Sequence, residues 1–226
     1  MLTFDRPAPL LDPTGAPARS VARRRSTTRD YLEAVLVALL CTLAIRTFFV
    51  QAFRIPSGSM EDTLAIGDHL FVNKLLYGAR IPLLDRRLPA FRPPRPGDVI
   101  VFRYPRDPSR DYIKRLIAVG GQVVEIRDRE VWVDGARVRE PYAKFVDSAL
   151  EPGDRGHVGP LLVPPGHLFV MGDNRDLSHD SRVWGFLDED LLIGRASTIY
   201  WSWDPDRKLM NWLPSPRLRR IGTRIQ

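Results

Sequence analysis

The sequence predicts a mainly β protein, with an antiparallel β domain following a single N-terminal apolar helix. Three observations carry this. One long apolar run, Tyr31 to Phe53, stands near the start of the chain. Beyond Thr63, short β-type runs alternate with turn residues such as Pro96-Gly97-Asp98, Gly120-Gly121 and Asp134-Gly135. No soluble segment shows a persuasive helical period, and there is no internal repeat.

The elements follow in chain order. Residues 1–30 are rich in Pro, Ala and Arg and lack apolar periodicity, so they read as a disordered segment. Tyr31–Phe53 holds 23 residues, about 35 Å of helix at 1.5 Å per residue, which is enough to cross a bilayer with some tilt. Glu33 and Arg46 interrupt the run and leave an uncharged stretch of core-helix length between them, so a buried core helix competes with a span. A cleaved secretory signal is disfavoured, because no small-x-small site closes the run. Arg19, Arg23, Arg24, Arg25 and Arg29 precede the run, whereas Arg54 and Lys74 are its near basic followers. The positive-inside rule then places the N-terminus in the cytoplasm and residues 54–226 outside.

Strands are expected at His69–Asn73, Val99–Tyr104, Tyr112–Val119, Val123–Ile126, Val131–Val133, His167–Met171 and Ile193–Trp201. Five prolines between Pro82 and Gly97 make that stretch a loop excluded from a central sheet. The Gly/Pro-rich stretch 139–166 reads as an irregular excursion or small subdomain. The chain of 226 residues carries a net charge of +7 and only four lysines, so arginine supplies most of the positive charge. These arginines are scattered and no DNA- or RNA-binding motif accompanies them, which argues against a nucleic-acid partner. The basic tail, Arg217 to Gln226, reads as a solvated end, with contact to anionic lipid as the alternative. The single cysteine, Cys41, rules out an internal disulfide.

Three segments carry chemistry. Ser57-Gly58-Ser59 follows Pro56, whose fixed φ and the freedom of Gly58 allow one hydroxyl to be held in place. An ordinary turn after an anchor reads equally well from that segment alone. Lys114 lies in Tyr112–Val119, and with period 2 it shares a strand face with Tyr112 and Leu116. Burial of that face lowers the amine pKa and yields a neutral base; an edge-strand lysine reaching to water is the alternative. Gly172–Gly185 alternates acids, amides, hydroxyls and arginines, as a buried polar network requires. Ser178 stands in this segment where it can orient the Lys114 amine. A metal loop is a rival there, but Arg175 and Arg182 interleave the acids and the calcium-loop spacing is missing. A triad through His179 is disfavoured because Ser59 lacks a G-x-S-x-G elbow.

Taken together, IPSGSM at 55–60 with Thr63-Leu64, PGDVIVFRYP at 96–105, DYIKR at 111–115 and the GDNRD-to-WG stretch at 172–185 resemble bacterial type I signal peptidases, membrane-anchored serine–lysine endopeptidases. The resemblance runs from the anchor to about residue 201. It implies a mainly β catalytic core over 54–226, with about 122–166 as a smaller inserted β part. It implies Ser59 as nucleophile, Lys114 as general base, Ser57 and the Ser59 N–H as oxyanion donors, and Ser178 orienting Lys114. Asp173, Arg175, Asp180 and Arg182 would brace the site, and Ile55, Pro56, Leu64, Tyr112 and Ile113 would line shallow pockets. It implies cleavage of signal peptides from exported preproteins after Ala-x-Ala-type sites, residence in the cytoplasmic membrane among its lipids, no cofactor and no metal. Asp62, Leu177 and Gly120-Gly121-Gln122 depart from the family pattern, at positions where it commonly has proline, asparagine and Gly-x-Pro-Gly-Asp. Two rival classes are a self-cleaving serine–lysine repressor, which needs a DNA-binding domain, and a tethered binding protein with a dead site.

Overall fold

The computed structural model describes residues 27–81, 86–146, 156–210 and 213–226. Most of the expected disordered segment, part of the proline loop and part of the 139–166 excursion lie outside the described residues. An α-helix, α1, spans Thr27–Ala44, and a π-helical turn, Ile45–Phe49, continues it. Together they form a 23-residue apolar helix of membrane-crossing length.

The helix ends before the apolar run does. Val50 to Phe53, expected inside the helix, belong instead to strand β1 (Val50–Arg54). β-Branched Val50 and aromatic Phe53 suit a strand, and pairing with the next strand satisfies the backbone groups of the segment. The strands that follow are β2 (Asp68–Asn73), β3 (Arg80–Ile81), β4 (Arg86–Arg87), β5 (Val99–Tyr104), β6 (Asp107–Val119) and β7 (Val123–Arg127). Then come β8 (Glu130–Val133), β9 (Ala136–Arg137), β10 (Val158–Leu162), β11 (His167–Met171), β12 (Leu187–Asp188), β13 (Leu192–Met210) and β14 (Leu213–Pro216). A four-residue helix, α2 (Ser181–Trp184), is the second α-helix among the described residues. It is too short to leave a 3.6-residue pattern and so was not expected.

The main sheet is antiparallel, in the order β1-β2-β13-β5-β6-β11-β12, with β14 paired to β13. A smaller sheet has the order β10-β7-β8-β9, and β3 pairs β4. Both small-sheet hairpins turn on two residues with positive φ, Asp128-Arg129 and Asp134-Gly135. Such turns match the right-handed strand twist. β10 lies inside the stretch expected to be irregular, and it pairs β7 with a register shift.

The continuous apolar run of β5 is explained by burial on both faces. Val99 and Val101 pack with Met60, Leu64, Leu70 and Val72, whereas Ile100 and Phe102 pack with Leu116, Leu168 and Trp184. β11 divides likewise. Its Phe169 and Met171 face Val124, Ile126 and Val131 of the small sheet. The small sheet is therefore fixed to the main sheet through a shared apolar cluster.

The C-terminal tail differs from the expected solvated end. Ile225 is buried, Ile225 N–H donates to Ser197 O and Gly222 N–H to Ile199 O. Arg220 grips Asp68, a fully buried carboxylate that also accepts from Ser202 Oγ and Ala65 N–H. Burial alone would raise the Asp68 pKa; the Arg220 and Ser202 bonds outweigh it and hold the carboxyl below its ordinary value. Arg220 is thereby committed to the core carboxylate, while Arg219 and Arg224 stay exposed. Arg220→Met is expected to lower the melting temperature clearly at neutral pH, because it strands a buried charge. The loss should shrink as acid protonates Asp68, which thermal unfolding at two pH values would read.

Candidate active site

Ser59 lies in a one-turn 3-10 helix, Gly58–Met60, anchored by Met60 in the core beside β2 and β5. Ile55 N–H donates to Asp68 O and Leu64 N–H to Met60 O, so the turn is tied at both ends. Lys114 projects from the middle of β6, opposite Ile100 of β5. The two side chains meet: Lys114 Nζ stands 2.6 Å from Ser59 Oγ. Ser59 is 8 % exposed and Lys114 4 %. Nζ also donates to Ile113 O at 3.1 Å and lies 5.6 Å from the centre of the Tyr112 ring.

Burial lowers the Lys114 pKa from 10.5 to about 8. The Asp180 and Asp173 charges oppose that shift and Arg182 adds to it. This lysine is thus a buried amine, hydrogen-bonded to a hydroxyl, and neutral over an accessible pH range. That combination suits proton transfer from the hydroxyl.

The Gly172–Gly185 segment encloses the pair. Asn174 N–H donates to Ser59 O, which fixes the serine backbone, while the buried Asn174 side chain makes no hydrogen bond within the protein. Gly172 is required by close approach. A Cβ there would come within 2.5 Å of Ser59 O and closer still to Ser178 Oγ. Ser178 is buried beside the Asp180 carboxylate, but its Oγ makes no hydrogen bond of good geometry. It is not bonded to Lys114. Ser57 is exposed at the N-cap of the Ser59 turn, with no side-chain capping bond.

Each bracing side chain has its own counter-charge. Asp173 accepts both Arg115 Nε (2.8 Å) and Nη2 (2.7 Å), with Thr63 Oγ1 as a third donor. Asp180 caps α2 through Arg182 N–H, accepts two bonds from the Arg182 guanidinium, and accepts Gly172 N–H. Burial works against its ionisation, yet these bonds hold its pKa below the ordinary carboxylate value. Arg175 is bound by Glu140 at 2.6 and 2.9 Å.

Among the expected pocket residues, Pro56 is exposed, and Tyr112 and Ile113 are half-buried. Ile55 is 2 % exposed and Leu64 0 %, both inside the core cluster that contains Met60. Leu64 therefore supports the site from behind and offers no surface to a ligand. His179 is exposed and meets Tyr104 edge-on.

Arg115, Glu140 and Tyr142 escaped the sequence reading. Arg115 was visible in DYIKR, but strand alternation put it on the face opposite Lys114. Both faces of β6 are covered from Lys114 to Ala118, so both cations are buried. Glu140 and Tyr142 lie far from the other motifs in sequence and gave no local signal.

A buried serine–lysine pair in a mainly β domain is an arrangement suited to hydrolytic chemistry, and comparison with known proteins gives the class and the family. Residues 28–201 match the signal peptidase family, peptidase S26. Signal peptidase I of Pseudomonas fluorescens is 35 % identical over 225 residues, covering 85 % of this chain and 78 % of that one. Signal peptidase I of Pseudomonas aeruginosa is 35 % identical over 230 residues, with the same coverages. A probable signal peptidase I-1 of Synechocystis is 38 % identical over 202 residues, covering 86 % of this chain and 87 % of that one. The chain belongs to the signal peptidase family, peptidase S26, and is a protease.

Proposed function

We propose that this protein is a membrane-bound endopeptidase that removes N-terminal signal peptides from exported preproteins after small-x-small sites of the Ala-x-Ala type. The observation that carries the mechanism is the 2.6 Å approach of Lys114 Nζ to Ser59 Oγ in a buried setting. The relatives named signal peptidase I support the substrate class.

In this reading the neutral Lys114 amine accepts the Ser59 proton as Oγ attacks the scissile carbonyl carbon. The Ser59 N–H and the exposed Ser57 hydroxyl donate to the oxyanion. Collapse breaks the C–N bond, and the Lys114 ammonium returns the proton to the leaving amine. Water then attacks the acyl ester, giving its proton to Lys114, and Ser59 Oγ leaves protonated. The buried Ser178 hydroxyl, short of a well-aligned partner, accepts from the Lys114 ammonium and orients it. Asp173, Arg175, Asp180 and Arg182 hold the loop that closes over the pair. Ile55, Pro56, Tyr112 and Ile113 border the substrate side chains, with Leu64 behind them. No cofactor enters these steps.

The direct test incubates the purified protein in detergent with a preprotein bearing an Ala-x-Ala site and sequences the new N-terminus. Cleavage after the second alanine is expected; an intact preprotein, or cleavage elsewhere, would overturn the reading. Ser57→Ala is expected to retain weak activity, since loss of one oxyanion donor costs about 10²–10³ in rate.

The apolar helix Thr27–Phe49, with five arginines ahead of it, supports a single span with the N-terminus in the cytoplasm and the catalytic domain outside. Protease added to intact spheroplasts is then expected to digest the region after residue 54 and spare residues 1–30. A C-terminal region that resists protease until lysis would reverse the orientation.

A further inference from the structure

One short segment outside the recognised motifs touches the bracing residues at several points. Glu140, Tyr142 and Lys144, alternate residues of the chain leading out of the small sheet, each engage a different neighbour. Glu140 accepts two bonds from Arg175, and both residues are nearly buried, with side chains 9 % and 2 % exposed. The Tyr142 ring lies 3.8 Å from the Arg115 guanidinium carbon, against the face of the cation that holds Asp173. Lys144 pairs by backbone with the site loop: its N–H donates to Asp173 O, and Arg175 N–H donates to its carbonyl. Its side chain crosses to Asp62 Oδ1 at 2.8 Å, in the turn that follows Met60. Asp62 is one of the departures from the family pattern, and here it has a cationic partner.

We infer that Glu140, Tyr142 and Lys144 form a positioning strap that holds the Gly172–Arg182 loop closed on Ser59 and Lys114, and that Glu140 is its principal anchor. The inference rests on the serine–lysine reading above.

The physical link is continuous. Arg175 Nε donates to Gly172 O, and Arg182 Nη2 donates to Arg175 O. Gly172 N–H is held by Asp180, and the Gly172 Cα faces Ser59 O and Ser178. Arg175 thus spans the loop, and Glu140 is the anion that keeps its guanidinium in place. A guanidinium cannot shed its proton, so loss of the partner leaves a buried charge that can only move toward water. Movement of Arg175 carries Gly172 with it and admits water onto Lys114. Among the three contacts, the Lys144–Asp62 ion pair is the most exposed, with side chains 32 % and 74 % exposed, and it contributes least.

The test compares Glu140→Gln, Glu140→Asp and Val131→Ala in the full-length protein. Val131 is buried in the small-sheet cluster and is not itself one of the site residues, so Val131→Ala controls for stability loss. Three readouts are taken: kcat and KM on a preprotein, the acid limb of the kcat/KM pH profile, and amide hydrogen exchange across 172–182. Glu140→Gln is expected to lower kcat by about tenfold or more, with KM changed less than about threefold, as befits misplaced catalytic groups. Its acid limb should move above the value of about 8, because rehydration restores the lysine toward its ordinary pKa. Exchange at Gly172, Asn174 and Arg175 should accelerate. Glu140→Asp, which keeps the charge, should recover part of kcat. Val131→Ala should lower the melting temperature and leave kcat and the acid limb unchanged.

Wild-type kcat and acid limb in Glu140→Gln would overturn the inference. So would a kcat loss in Val131→Ala equal to that in Glu140→Gln at matched stability. Failure of the serine–lysine reading is distinguishable. In that case Ser59→Ala would still cleave, while the exchange difference at 172–182 would remain.

Discussion

Ser59→Ala and Lys114→Arg are both expected to abolish cleavage, each lowering kcat by about 10⁴-fold or more. The reasons differ. Alanine removes the attacking oxygen from a turn otherwise fixed by Met60 and by Asn174 N–H, so folding should change little. Arginine keeps a cation at the position of Lys114 but cannot act as a base near neutral pH. Lys114→Met, of similar length and without the amine, should be equally inactive. The pair therefore separates loss of basicity from loss of volume.

The pH behaviour follows from the same burial. With Lys114 lowered to about 8, the fraction of neutral amine falls about tenfold for each pH unit below that value. The acid limb of kcat/KM should therefore lie near 8. Stability moves the same way. The folded pKa is depressed, so between about 8 and 10.5 the unfolded chain binds the extra proton and stability rises with pH. Below about 8 the cost is fully present, and above 10.5 it is gone. At about 1.4 kcal/mol per pH unit of depression, the cost is on the order of 3 kcal/mol. Lys114→Met should accordingly be at least as stable as the parent at neutral pH, and Lys114→Arg less stable, because its charge is fixed. Cleavage assays and thermal unfolding of the three variants in one detergent check both claims. Substantial cleavage by Lys114→Arg would move the base elsewhere, with His179 the first place to look.

The β architecture was legible because β5, β6 and β11 are apolar runs bounded by Gly, Pro and Asp, and because Asp134-Gly135 has one common use. Both β5 and the Ser59 turn stand where those patterns place them. Two things were hidden. The change from helix to strand at Val50 cannot be read from hydrophobicity, since Val, Phe and Ala suit either state. Pairing with β2 decides it, and that is a tertiary fact. The second hidden feature is the set of partners of the buried charges. Strand alternation assumes that one face is wet, and β6 breaks the assumption by burying Lys114 and Arg115 side by side. The Gly172–Gly185 segment did announce a polar network through its composition. Which acid meets which cation depended on Glu140 and Arg115, at distances of 35 and 58 residues along the chain from Arg175 and Asp173. Arg220 on Asp68, 152 residues away, is the same kind of contact and ties the tail to the core.

Asp173→Asn is expected to have the largest effect on stability among single substitutions in the bracing network. Asp173 is fully buried and receives both Arg115 donors and Thr63 Oγ1. Asparagine keeps the shape but not the charge, so the Arg115 guanidinium, 2 % exposed, loses its counter-ion. The acceptors that remain to the guanidinium are Gly97 O, Gln226 O, Thr63 Oγ1 and the Tyr142 ring, and none of them replaces the two-donor grip of the Asp173 side chain. Removing one partner of a buried pair costs about 3–5 kcal/mol. For a domain of this size that corresponds to a fall of roughly 6–20 °C in melting temperature. A second consequence separates charge from shape. The Asp173 charge opposes the depression of the Lys114 pKa, so its removal should carry the acid limb of kcat/KM below about 8. Thermal unfolding and a pH–rate profile of Asp173→Asn measure the two effects independently. A melting temperature within about 2 °C of the parent would mean that Arg115 finds another counter-charge, and that Asp173 does not brace the site as assigned.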